Sequence, residues 1–118
     1  MASFTAIIKN ISPTDNENII RLEAETDTRD KIFVCELPRK LNTFNKDDRV
    51  ELTLDYSKPP AGGKADIEMT GKIYSAETLE DSTALFISFS GLLSKFTFPT
   101  NYFPPHLKKT IYLAVKKI

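Results

Sequence analysis

The sequence predicts an all-β protein built as a closed or nearly closed antiparallel β-barrel of about eight strands. Three observations indicate this fold class. Apolar and polar residues alternate in short runs, turn residues separate those runs, and no stretch carries a long helical stripe. Closure is expected because it protects strand edges from stray pairing. A chain of 118 residues is expected to form a single barrel domain, 1-118, with one core.

The predicted strands are mostly apolar on one face and polar on the other. In the clearest case Ile20, Leu22 and Ala24 alternate with charged residues. We predict strands in the regions 4–11, 20–25, 32–37, 50–55, 67–73, 85–89, 92–97 and 111–116. A short helical turn is expected within 38–44, a flexible connection at 57–64, and loops at 75–82 and 99–105.

Residues 85–97 form two apolar runs that are separated only by Ser90 and Gly91. Gly allows backbone angles that a side chain forbids, so we expect a strand that bends or bulges here and then continues. Such a bend would be a corner of the barrel. Consecutive strand residues face opposite sides, so Leu92 and Leu93 should not both enter the barrel.

Composition excludes several classes of protein. Lys plus Arg and Asp plus Glu are 16 each, so the whole molecule has no net positive field to attract nucleic acid. The single cysteine cannot form an internal disulfide, which fits a reducing compartment. No secretion leader and no membrane-spanning apolar run is recognisable. We expect a soluble, intracellular protein with no membrane contact.

The residue types that carry chemistry are sparse and scattered. His106 and Cys35 are the only His and Cys, and a zinc site needs about four ligands at close spacing. The sequence shows no carboxylates that converge on a cleft for acid–base work. Gly62-Gly63-Lys64 lacks the spacing and the Ser/Thr of a phosphate loop. We expect no catalytic, metal-binding or cofactor-binding residues and no cofactor.

The C-terminal third is basic and aromatic, and it allows two interpretations. After Asp81 the chain has five lysines and no acidic side chain. Lys95 and Lys116 beside Phe89 or Tyr112 would suit a barrel that stacks single-stranded bases on aromatic rings. Alternatively the aromatic residues are core, and a sheet covered on both faces indicates a partner protein on its outer face. The zero net charge favours the protein partner.

Two blocks of sequence carry a family resemblance. The first joins Ile-Arg-Leu-Glu-Ala-Glu-Thr at 20–26 to Asp-Arg-Val-Glu-Leu-Thr-Leu at 48–54. The second, more specific, joins Met-Thr-Gly-Lys-Ile-Tyr at 69–74 to Ser-Phe-Ser-Gly-Leu-Leu at 88–93 and a last run at 111–117. In this order they resemble the small subunit shared by the nuclear RNA polymerases of eukaryotes and its archaeal relative, the G subunit, also called subunit 8.

The resemblance implies an OB-like barrel and a non-catalytic accessory or assembly subunit of a multisubunit DNA-directed RNA polymerase. Its partners would be the largest subunit, on which it would mainly dock, and other polymerase subunits, without direct sequence-specific contact to nucleic acid. We expect the docking to use strand-edge pairing and apolar burial. Asp47 stands where the family usually has a turn glycine, which Asp tolerates in a left-handed conformation. Eukaryotic members carry a long acidic loop before Met69, and this chain has only 58–64 there. We therefore expect an archaeal, cytoplasmic protein, or a nuclear one if the host is eukaryotic.

The second block also supplies the candidate site. We expect either the partner-subunit interface or a barrel corner at Gly71, Tyr74, Phe89, Ser90, Gly91, Leu92 and Leu93. Whichever of Leu92 and Leu93 points outward would contact the partner subunit, together with Phe89 or Tyr74. The alternative function is a stand-alone OB-fold module that binds single-stranded nucleic acid.

Overall fold

The structure, a computed structural model, describes residues 2–57 and 65–118. Eight strands and one short 3-10 turn make up the chain: β1 Ala2–Pro13, β2 Ile19–Glu25, β3 Ile32–Pro38, the turn Arg39–Leu41, β4 Arg49–Asp55, β5 Ile67–Leu79, β6 Ser82–Phe89, β7 Leu92–Pro99 and β8 Thr110–Lys117. Apart from Ser57, the predicted flexible connection lies outside the described residues. The predicted short helical turn is confirmed within 39–41.

The strands close into one antiparallel barrel in the order β1-β2-β3-β7-β6-β5-β8-β4, and β4 pairs back with β1. The predicted all-β fold, a closed antiparallel barrel of about eight strands, is therefore confirmed. Every strand sends apolar side chains into the single core. Because the side-chain period of a strand is two, the alternating residues seen in the sequence divide cleanly between this core and the outer surface.

The expected bend at Ser90 and Gly91 is wrong, because the chain reverses there. Phe89 pairs with Leu92, so Ser90 and Gly91 are the two central residues of a tight hairpin between β6 and β7. Both have positive φ, 54° and 91°. Two consecutive positive-φ residues match the twist of the flanking strands, which is why such turns close hairpins. The two apolar runs are thus neighbouring strands rather than one bent strand.

The barrel corners lie instead in β1 and β5, the two longest strands. The first half of β1 pairs with β4 and the second half with β2, and the register shifts at Lys9. In the same way β5 pairs with β8 and then with β6, and its register shifts at Tyr74. One extra residue in a strand bends it and increases its twist. These bulges let each long strand pass from one side of the barrel to the other.

The predicted loop at 75–82 is also wrong. β5 continues as far as Leu79, and a tight turn at Glu80 and Asp81 then leads directly into β6. Residues 77–79 are exposed, so they lack the alternation by which a strand is recognised. Pairing with β6, rather than burial, defines this part of the strand.

Candidate partner-binding surface

The outer face of β3, β7, β6 and β5 carries a shallow apolar groove. Its apolar lining consists of Val34, Tyr74, Phe86 and Leu93, and its volume is about 270 Å³. Arg21, Glu36, Ser94 and Lys95 supply its polar lining. We refer to these eight residues as the outer groove. Large apolar side chains left in contact with water on the outside of a barrel are typical of a surface that binds another protein.

The strand register places three residues of the groove floor side by side. Lys95 of β7 lies opposite Val34 of β3 on one side and opposite Phe86 of β6 on the other. Its ammonium group is 5.6 Å from the centroid of the Phe86 ring, within the range of a cation–π interaction. These three outward-facing residues therefore form one row across three neighbouring strands.

Tyr74 lines the groove at the point where β5 bulges. Ile73 is fully buried, and the next residue, Tyr74, is 50% exposed on the outer surface, as alternation along a strand requires. The centroids of the Tyr74 and Phe86 rings are 6.2 Å apart. An exposed aromatic ring therefore lies beside the Phe86 ring in the floor of the groove.

Leu93 is positioned by a side-chain hydrogen bond at a gap in the sheet. β3 and β7 pair only from Ser94 onward, so the backbone of Leu93 has no strand partner on the β3 side among the described residues. Its N–H donates instead to Oε1 of Glu36, at 2.8 Å. This hydrogen bond fixes the start of β7 while the Leu93 side chain remains 50% exposed.

Of the residues expected at the interface, only Tyr74 and Leu93 line the outer groove. Leu92 is half-buried against the core, so the two leucines divide between the inside and the outside, as expected. Phe89 is 2% exposed and belongs to the core, so it is not an outward contact. Ser90 and Gly91 form the exposed hairpin turn.

Gly71 allows close packing at the barrel corner in β5. A Cβ atom at Gly71 would overlap the backbone carbonyl oxygen of Ser88 and lie 2.7 Å from Cδ1 of Phe89. The missing side chain therefore lets β5 lie close to the Phe89 ring.

Val34 and Phe86 complete the apolar lining of the groove. The alternation of β3 is enough to predict that Val34 points outward, because its two neighbours in the strand point inward.

The rings expected to stack bases do not form a basic platform. Lys95 covers Phe86 rather than Phe89, which is buried, and Tyr112 is half-buried. Lys31 lies over the rings of Tyr102 and Phe4, with its ammonium group 4.6 and 5.9 Å from their centroids. The charged residues that line the outer groove have both signs, so the groove has no marked preference for a phosphate backbone.

The reactive residue types are not grouped for chemistry. Within 2–57 and 65–118, no group of three or more His, Cys, Asp or Glu residues is placed to hold a metal ion. Burial raises the pKa of the Cys35 thiol, which therefore stays protonated and unreactive. The backbone N–H of His106 donates to the hydroxyl oxygen of Tyr56. No helix in the described part is long and apolar enough to cross a membrane.

Fold and surface together define a small closed β-barrel that presents an apolar groove on its outer face. The family model for the G subunit of DNA-directed RNA polymerase matches residues 1–118, the whole chain. The chain belongs to this family, and it is a subunit of a DNA-directed RNA polymerase. The resemblance found in the sequence is thereby confirmed.

The other comparisons add little to this assignment. No curated protein matches the chain. A solved structure of the cytoplasmic molybdate-binding protein ModG, with molybdate bound, is similar at 11% identity and a TM-score of 0.41. The match covers 98% of this chain and 89% of that one. A likeness this weak says nothing about ligands or function.

Proposed function

We propose that this polymerase subunit is a non-catalytic assembly component that docks on the largest subunit through the outer groove. The observation that carries the proposal is the pair of half-exposed side chains, Tyr74 and Leu93, beside the aromatic floor. Burying the exposed half of Leu93 alone would contribute about 1 kcal/mol to binding. Apolar and aromatic side chains beside a few charged ones are the usual composition of a protein interface.

Other features of the chain support the same role. The sparse, scattered reactive residues support a subunit that brings no catalytic group of its own. The short sequence at 58–64, where eukaryotic relatives have a long loop, supports an archaeal host and a cytoplasmic location. No observation favours the alternative of a stand-alone module that binds single-stranded nucleic acid.

Incorporation into the polymerase tests the docking surface. Leu93→Asp places a charge in the groove, and we expect at least a tenfold loss of association with the polymerase core prepared without this subunit. Ile118→Asp is the matched control. Ile118 is 68% exposed, and its N–H donates to the carbonyl oxygen of Arg49 in β4, which lies on the opposite side of the barrel from β7. Crosslinking of the bound subunit identifies the polypeptide that it contacts.

Two results would contradict the proposal. Equal association of the Leu93→Asp and Ile118→Asp variants would remove the outer groove as the docking surface. Crosslinks that avoid the largest subunit would show that another polypeptide is the partner.

A further inference from the structure

The second half of β5 has a neighbouring strand on one side only. β5 pairs with β8 from Ile67 to Lys72 and with β6 from Lys72 to Leu79. On the β8 side the last backbone hydrogen bond runs from the N–H of Lys108 to the carbonyl oxygen of Ile73, at 2.9 Å. Beyond that point no described residue pairs with this side of β5. We call residues 74–79 the β5 edge.

The hairpin register shows which backbone groups point away from the barrel. Leu79 and Ser82 flank the tight turn at Glu80 and Asp81. The residues that flank such a turn exchange hydrogen bonds with each other, and the direction then alternates along the strand. The N–H and C=O groups of Thr78 and Ala76 therefore point away from β6. They offer a short template for one more strand.

We propose that an extended, basic segment of a neighbouring polymerase polypeptide adds to the β5 edge as a further strand. This inference rests on the proposed function, because it takes the partner to be a component of the polymerase. Main-chain hydrogen bonds to Ala76 and Thr78 would provide the pairing, as in other cases of strand addition. The exposed Leu79, 67% accessible, provides an apolar contact at the end of the edge.

The acidic residues beside the β5 edge indicate that the added segment is basic. Glu77, Glu80 and Asp81 are exposed, and no basic residue lies between Ser75 and Thr83. None of the three forms an ion pair with another described residue. A segment that carries Lys or Arg would neutralise them. A second copy of this chain would bring like charges together, and nucleic acid would be repelled.

The β5 edge is continuous with the outer groove. Tyr74 belongs to both, since it lines the groove and begins the edge. A polypeptide that fills the groove over Phe86 can therefore reach the unpaired backbone without crossing another part of the barrel. One partner can use both surfaces.

Amide hydrogen exchange gives the direct test. In the isolated chain the amides of Ala76 and Thr78 should exchange quickly, because their N–H groups have no partner. In the assembled polymerase their exchange should slow by at least a hundredfold. The amides of Glu77 and Leu79 point toward β6, and they should be protected in both states and serve as internal references.

A proline variant removes the outward-pointing N–H of Thr78 and leaves the pairing of β5 with β6 in place. Thr78→Pro removes a donor that β6 does not use, so β5 can still pair with β6. Thr78→Ala is the matched control, since both variants lose the 3.4 Å contact between the Thr78 and Thr83 hydroxyls. We expect Thr78→Pro to associate with the polymerase core at least tenfold more weakly than Thr78→Ala.

A second pair of variants tests the charge and does not depend on tolerance of proline. Glu77→Lys should weaken association about tenfold at low salt, and less at high salt. Glu68→Lys is the control, because Glu68 is exposed on the part of β5 that is already paired with β8.

The outcomes are separable. If the wild-type chain assembles but Ala76 and Thr78 still exchange quickly, strand addition is wrong and the proposed function stands. If the wild-type chain does not assemble at all, the proposed function fails and this inference fails with it. If the isolated chain formed a dimer in which both amides were protected, the added strand would come from a second copy of this chain and not from another polymerase polypeptide. Equal association of Glu77→Lys and Glu68→Lys would overturn the basic character of the segment.

Discussion

Single residues determine where strands approach closely and where the chain turns. Asp47 has a φ of 74°, so the left-handed conformation expected of Asp at this turn is confirmed. The turn at Ser90 and Gly91 is hard to predict because Ser, unlike Gly, seldom adopts positive φ, and the glycine alone is equally consistent with a bulge. Ser-Gly between two apolar runs is nonetheless a turn signal.

Two glycines should respond differently to the same substitution. Gly71→Ala forces a Cβ atom against the Ser88 carbonyl, and we expect a loss of about 2–4 kcal/mol of unfolding free energy. At Gly91 the space is open but φ is +91°, so Gly91→Ala should cost only about 1 kcal/mol. Urea unfolding of both variants measures the difference. A smaller loss at Gly71 than at Gly91 would contradict the close packing of Phe89 on β5.

A carboxylate in the turn between β2 and β3 should make stability sensitive to acid. Asp30 accepts hydrogen bonds from the hydroxyls of Thr28 and Thr26, at 2.6 and 2.7 Å, and from Lys31. These bonds lower the pKa of Asp30 below its ordinary value. The folded state thus favours the ionised form, so the stabilisation is present above the unfolded pKa of about 4 and is lost as pH falls.

Comparison with Asp30→Asn measures this effect. Between pH 6 and pH 3 the urea midpoint of the wild-type chain should fall further than that of the variant. Parallel decreases in the two proteins would show that Asp30 is not the carboxylate responsible.

At the level of elements, the sequence is most informative where strands are buried on one face. The alternation of Ile20, Leu22 and Ala24 identifies β2 correctly because the barrel interior selects every second residue. The second half of β5 cannot be recognised in this way. A bulge at Tyr74 interrupts its period, and exposure on both sides removes the apolar signal.

Tyr56 is one of the residues that attach the loop between β7 and β8 to the barrel. The Tyr56 hydroxyl donates to the carbonyl oxygen of Pro104 at 2.7 Å and accepts the His106 N–H at 3.0 Å. The Tyr56 ring stacks on Phe103, with centroids 5.1 Å apart. Tyr56→Phe keeps the stacking and removes both hydrogen bonds, so it should cost about 1–2 kcal/mol. Faster amide exchange at His106 would locate the change in this loop.

The same tyrosine gives a dependence on alkaline pH. Burial raises the pKa of Tyr56, so the folded state favours the neutral phenol. The contribution of Tyr56 to stability should therefore be fully present below the unfolded pKa of about 10 and should be lost as pH rises above it. Tyr56→Phe should lack this part of the decline. An identical alkaline decline in both proteins would assign it to other groups.

At the level of the whole molecule, the fold class follows from local patterns, but the outer groove does not. Phe86 and Lys95 lie opposite each other in the β6–β7 hairpin, but Val34 joins them only because β3 lies beside β7, a pairing that does not follow the sequence. The sequence does indicate that both faces of this region are apolar, since Phe86 alternates with Ile87. It cannot show that Val34 of a distant strand completes the row.

The barrel should fold without its polymerase partners. All eight strands contribute to the core, and the sheet closes through β1 and β4 of the same chain. The outer groove and the unpaired backbone groups of the β5 edge lie on the surface, although Ala76 packs against the core, so the interior is closed without a partner. We therefore expect the isolated chain to show the near-ultraviolet circular dichroism of packed aromatic rings and to unfold in one cooperative transition.

Leu93→Asp should leave the melting temperature within about 2 °C of wild type, while Leu52→Ala, in the core, should lower it by about 8–20 °C. Loss of near-ultraviolet signal in the isolated wild-type chain would show instead that polymerase contacts complete the fold.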